Sequence, residues 1–121
     1  LQPTSPLRLA EDIDGAIELF EKKQADSVIS YCQEAHPVTW HKYLDEEGRF
    51  IDIFDANIRN RQENRVSYYP NGAVYVFRTS MIRDRQYYTE KSYAYVMPRT
   101  RSVDIDFIED FEYAEFLLNR R

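Results

Sequence analysis

Between Glu11 and Gln24, Ile13, Ala16, Ile17 and Phe20 recur at helical spacing while Glu18, Glu21, Lys22 and Lys23 fall largely elsewhere. An apolar run rich in Val, Ile and Tyr, Ser27 to Gln33, follows at once. An amphipathic helix must lay its stripe on something, and a strand beside it offers that surface, so the pair predicts an α/β domain. At 121 residues the chain is one domain by length, large enough to bury roughly two thirds of its unfolded surface.

The rest of the chain supplies more of the same pattern. Gly72 to Phe77 and Tyr93 to Met97 read as strands, the second halted by Pro98, and Ser80 to Gln86 reads as a short helix. A terminal helix is expected from near Phe107 to Asn119, with Ile108, Phe111, Ala114 and Leu118 as its apolar stripe. From Trp40 to Phe54 the pattern changes to two short strands about Glu46-Glu47-Gly48, where Gly48 permits the backbone sign change of a tight hairpin. Asp55 to Ser67 holds too few apolar residues to bury a face, so it is expected to be an exposed arm with reachable arginines.

Composition narrows the function. A formal charge of -5 argues against nonspecific nucleic-acid binding, because phosphate backbones attract basic surfaces. The chain opens on Leu1-Gln2-Pro3 with neither a basic stretch nor an apolar run, so a signal peptide and a membrane span are not expected and the cytosol is the expected compartment. Cys32, the lone cysteine, sits among Val28, Ile29 and Tyr31 and reads as a buried, inert thiol. Arg99, Arg101, Arg120 and Arg121 gather toward the end and read as a solvated surface.

Chemistry enters at Ser102-Val103-Asp104-Ile105-Asp106, which reads as a strand entering a helix. Side chains at i and i+2 of an extended chain face the same way, so Asp104 and Asp106 present two carboxylates together. Two oxygen ligands on one face suit Mg²⁺, which takes one or two carboxylates from a protein and the rest from water and phosphate. The alternative is structural: Asp106, with Glu109 three residues on, also forms a capping-box pattern, and Asp104 is then a polar strand end.

Three segments read together go further. Leu1-Gln2-Pro3-Thr4-Ser5-Pro6-Leu7-Arg8, Tyr69-Pro70-Asn71-Gly72-Ala73-Val74-Tyr75-Val76 and Ser102-Val103-Asp104-Ile105-Asp106 occur in the order found in the cytidylyltransferases that activate sialic acid and related nonulosonic acids, and the chain resembles that family over almost its whole length. The resemblance implies a Rossmann-like nucleotidyltransferase fold with a mixed sheet, in which a sugar hydroxyl attacks the α-phosphate of CTP and pyrophosphate leaves. It implies Mg²⁺ on Asp104, with Asp106 as second ligand or water-mediated contact. It places Gln2, Asn71, Gly72 and Tyr75 at the sugar, Tyr87 and Tyr88 at the sugar's acyl group, and Arg61 as a contact reaching in from the neighbouring subunit. The excursion of about 36 to 70 then becomes a dimerisation element exchanged between two copies.

Two departures from the family pattern stand out. His36-Pro37-Val38-Thr39 lacks the lysine that many sialic acid enzymes carry soon after His-Pro, which leaves the identity of the acid open. The family's glycine-containing nucleotide loop is also missing: Gly15, Gly48 and Gly72 are the only glycines, none in a cluster that cradles a triphosphate. The expectation is therefore a C-terminal part of a longer enzyme, inactive alone. An Asp-x-Asp glycosyltransferase and a non-enzymatic dimerisation or binding module are the competing readings.

Overall fold

The computed structural model describes residues 1–58 and 65–121. In chain order its described helices and strands are α1 (Ala10–Lys23), β1 (Ser27–Gln33), β2 (Lys42–Leu44), β3 (Phe50–Asp52), β4 (Tyr68–Phe77), α2 (Thr79–Arg83), β5 (Ser92–Met97) and α3 (Ile108–Asn119). They divide into two units, Leu1–Cys32 with Tyr69–Arg121, and Gln33–Tyr68. Among the described residues no helix is long and apolar enough to cross a membrane.

The first unit is built on a three-stranded sheet in the order β4-β1-β5. β1 runs parallel to β5, with Val28 opposite Tyr93 and Cys32 opposite Met97. β4 is antiparallel to β1, because Arg78 N–H reaches Asp26 O while Val74 N–H reaches the Ser30 hydroxyl. The sheet is thus mixed, in keeping with the α/β expectation. Strand alternation sends Val28, Ser30 and Cys32 to one face and Ile29 and Tyr31 to the other. Cys32 is buried, as its apolar neighbours predicted.

α1 covers the first of these faces. Ala16 is fully buried, and Ile13, Leu19 and Phe20 pack with it on Val28, Val74 and Met97. Ile17, expected on this stripe, is 41% exposed, so the buried face is turned relative to the expected one. The turn has a local cause: Gly15 lies on the Tyr95 ring, where a Cβ would fall 2.6 Å from Cε2. The helix closes at Gln24, whose φ of 48° puts it in the left-handed region while its N–H caps the last turn.

α3 packs differently from expectation. Ala114 and Leu117 are its buried residues and join Leu7, Val103 and Ile105, whereas Ile108, Phe111 and Leu118 are more than half exposed. With apolar residues on nearly every side of the helix, periodicity did not single out a face. Asp106 with Glu109 was the expected cap, yet Asp110 does the capping, accepting from the N–H groups of both Asp106 and Phe107.

In the second unit, β2 and β3 form the expected hairpin, with Lys42 opposite Asp52 and Leu44 opposite Phe50. Lys42 pairs with Asp52 across it. Gly48 has φ +83° in the turn, which a residue with Cβ adopts only under strain. Asp45 accepts from the Arg49 backbone and side chain, which hold its carboxyl below the usual range. Arg61 lies outside the described residues.

Candidate functional site

The three segments that sequence reasoning grouped meet in the fold, and Asn71 joins them. Its side chain is 3% exposed. Its amide nitrogen donates to the Ser102 hydroxyl at 2.9 Å, and its amide oxygen accepts from the Ser30 hydroxyl at 2.5 Å and Ala73 N–H at 3.1 Å. Its backbone carbonyl accepts from the Ser5 hydroxyl at 3.1 Å. One buried amide therefore ties the first loop, β1, β4 and the approach to Asp104 together, with its hydrogen-bonding capacity largely spent inside the protein. Its geometry makes Asn71 an organiser of the site wall.

Gln2 and Gly72 follow from that arrangement. Gln2 donates from Nε2 to the Tyr75 hydroxyl at 3.5 Å. Gly72 has φ +75°, and a Cβ there would meet Gln2 Oε1 at 2.5 Å and Ser5 Oγ at 3.2 Å. The position thus needs glycine for both backbone conformation and close approach. Gly72→Ala is expected to cost about 1–2 kcal/mol and to push Gln2 off Tyr75. Thermal unfolding checks this, and an unchanged midpoint would show that the left-handed conformation is not required.

Asp104 and Asp106 lie on an irregular extended stretch, which corrects the expected strand. No ladder forms; a single bond from Ile105 N–H to Thr4 O, 2.8 Å, anchors the stretch to the first loop. Alternation survives nonetheless: Val103 and Ile105 pack inward against Leu7 and α3, and Asp104 and Asp106 are both exposed. Among the described residues neither carboxylate accepts a hydrogen bond or an ion pair, and no group of three His, Cys, Asp or Glu is placed to hold a metal. A donor set of two free carboxylates fits Mg²⁺, which fills its remaining positions with water and phosphate oxygens, and does not fit a metal that needs an all-protein cage.

The sheet face opposite α1 carries Tyr31, Tyr75 and Phe77. Tyr75 stacks on Phe77 at 6.2 Å between centroids, and Phe77 meets the Tyr87 ring edge-on at 5.8 Å. Tyr88 lines a cleft with Tyr31, and burial first, then the neighbouring Tyr88 phenol, push the Tyr31 pKa up. Tyr87, expected near the sugar, thus stands in one aromatic row with Tyr75 and Phe77, while Tyr88 lies beside Tyr31.

One cluster escaped sequence reasoning. Asp12 is fully buried on α1 and takes a two-pronged pair from Arg101, Nε to Oδ2 at 3.0 Å and Nη2 to Oδ1 at 2.9 Å. Tyr95 Oη adds 3.1 Å to Oδ1, and Leu9 N–H adds 2.8 Å to Oδ2. Burial alone would raise the Asp12 pKa, but Arg101, the Leu9 N–H and Tyr95 together hold it below its ordinary value. Arg101, read from sequence as part of a solvated surface, in fact clamps the turn Arg99–Arg101 that leads straight into Ser102 and Asp104. A lone acidic residue on the apolar side of α1 was the available signal.

No protein-family model matches the sequence. Individual relatives do. An N-acylneuraminate cytidylyltransferase of Streptococcus agalactiae is 36% identical over 114 residues, 92% of this chain. One from Escherichia coli is 31% identical over 94% of the chain. The chain is a relative of the N-acylneuraminate cytidylyltransferases. A CMP-N,N'-diacetyllegionaminic acid synthase of Legionella pneumophila is 29% identical over 98% of it. The chain spans 27% of the streptococcal cytidylyltransferase, 28% of the one from E. coli and 52% of the Legionella synthase.

Proposed function

We propose that the protein bearing this chain transfers a cytidylyl group from CTP to a nonulosonic acid of the sialic or legionaminic type. The sugar's anomeric oxygen forms the new bond to the α-phosphorus, the bond from that phosphorus to the bridging oxygen breaks, pyrophosphate leaves with the electron pair, and the hydroxyl proton is lost to water. The observation that carries the reading is the convergence of Gln2, Tyr75 and the Asp104–Asp106 stretch about Asn71, in a chain similar over nearly its whole length to such enzymes.

In this reading Asp104 and Asp106 hold Mg²⁺, whose charge, when bound, offsets that developing on the phosphate oxygens. Gln2 orients the sugar, because its amide donates and accepts at once, and Tyr75 backs it. Tyr87 and Tyr88 line the position of the acyl group. Arg61 is assigned the acid's carboxylate, delivered from the second subunit of a homodimer through an exchanged Gln33–Tyr68 unit. Support for that exchange comes from the large apolar side chains this unit leaves exposed, Trp40 at 65% and Phe50 at 79%.

The full-length protein, given CTP, Mg²⁺ and a panel of nonulosonic acids, is expected to release pyrophosphate with at least one acid and to sediment as a dimer. Release with none would sink the activity, and a monomer at working concentration would remove the role given to Arg61.

A further inference from the structure

The stretch that carries Asp104 and Asp106 has no ladder to fix it, so its place in the fold is set by what holds its two ends. Upstream lies the turn Pro98 to Ser102. It is closed on itself by Arg101 N–H donating to Pro98 O and Ser102 N–H to Arg99 O, both at 3.1 Å, and by the Ser102 hydroxyl donating to Pro98 O at 2.7 Å. On the other side lies the first loop, whose Thr4 O accepts from Ile105 N–H. A turn so closed moves as one piece, and where it sits depends on what it is fastened to.

Both supports end on one carboxylate. Asp12 accepts two bonds from the Arg101 guanidinium in the turn, and one from the N–H of Leu9, where the first loop enters α1. Tyr95 Oη supplies a further bond, and its ring lies on Gly15 of the same helix. Surrounded by these donors, the Asp12 carboxylate is fixed in rotation as well as in position. A buried ion pair is a poor source of net stability, and an apolar contact would hold a turn to a helix at least as well. What the planar fork-to-carboxylate pair adds is one defined orientation of the turn on α1.

We propose that Arg101 is a positioning residue for the metal site: locked on Asp12, it fixes the turn from which the Asp104 carboxylate is presented. The proposal rests on the cytidylyltransferase reading for the role of Asp104 as a Mg²⁺ ligand. Mg²⁺ demands near-ideal octahedral geometry with short bonds, so a ligand carried on a loosened turn binds it less well. The Asp12–Arg101 pair thereby serves the site as well as the fold.

The test uses the full-length protein, wild type against Arg101→Lys, Arg101→Ala and Leu19→Ala, each well below its unfolding midpoint. Lysine keeps the charge but offers a single compact ammonium in place of a planar fork. Free Mn²⁺, counted by electron paramagnetic resonance, reports binding without turnover, and Asp104→Ala identifies the part of it that belongs to this site. Arg101→Lys is expected to weaken Asp104-dependent Mn²⁺ binding roughly tenfold, the low end of what a partner behind the metal ligands contributes. The Mg²⁺ concentration for half-maximal pyrophosphate release should rise by the same factor, with kcat at saturating Mg²⁺ within about twofold of wild type. Arg101→Ala should weaken binding further, and if it does not fold, the lysine variant decides. Leu19→Ala, which removes core packing from α1, should lower the unfolding midpoint and leave Mn²⁺ binding unchanged. Unchanged Mn²⁺ binding in Arg101→Lys, or equal weakening in Leu19→Ala, overturns the proposal. Asp104-dependent binding that weakens in Arg101→Lys, without pyrophosphate release by wild type, would keep the proposal and sink the cytidylyl reaction. Equal Mn²⁺ binding by wild type and Asp104→Ala would sink the proposal together with the metal role.

Discussion

Asp104→Ala in the full-length protein is expected to lower pyrophosphate release about 10²- to 10³-fold while leaving thermal unfolding within about 1 °C of wild type. The first figure follows from removing a metal ligand that contributes several kcal/mol at the transition state, at roughly 1.4 kcal/mol per tenfold in rate. The second follows from the position: Asp104 is exposed and, among the described residues, its carboxylate braces nothing. Asp106→Ala should cost less if it meets the metal through water. Its N–H, not its carboxylate, serves the α3 cap, so its fold should also be intact. Near-normal turnover in Asp104→Ala would remove the metal role, and higher Mg²⁺ partly restoring Asp106→Ala would support the division of labour between them.

The second large effect falls on stability. Asp12→Ala strips the partner from Arg101, Tyr95 and Leu9 N–H at once, and breaking a buried pair of this kind costs about 3–5 kcal/mol. Arg101 keeps some access to water, so the lower end applies. For a chain of this size that corresponds to a fall of roughly 10 °C in the unfolding midpoint. The pH dependence has a definite sign. The Asp12 pKa is lowered on folding, so its contribution is fully present above the ordinary carboxylate value and fades as pH falls through the folded one. The midpoints of wild type and Asp12→Ala should therefore converge as pH falls from above the ordinary carboxylate value through the lowered folded one. A constant gap across that range would mean that packing, not the ion pair, sets the cost.

What sequence revealed of the site depended on how local each signal was. Asp104 and Asp106 alternate with Val103 and Ile105, which pack inward, so both carboxylates are exposed even though the ladder did not form. Gly72 was legible as part of a strand, but its close approach to Gln2 was not, because that contact joins residues far apart in the chain. Asn71 illustrates the same boundary: the resemblance placed it at the sugar, and only the folded chain surrounds it with Ser5, Ser30, Ser102 and Ala73. Arg101 read as surface because its partner lies 89 residues away on α1.

By itself, the sequence determined the α/β character and most helices and strands, the hairpin about Gly48 and a kinship with cytidylyltransferases. All of these rest on residues within a few positions of one another or on the ordered motifs themselves. Tertiary structure alone decided which side of α1 and α3 is buried, which charges are structural, and that Tyr31 lies on the open sheet face beside Tyr88. Periodicity fixes that a face exists, while contacts across the fold fix which face it is, since packing energy depends on partners that are distant in sequence.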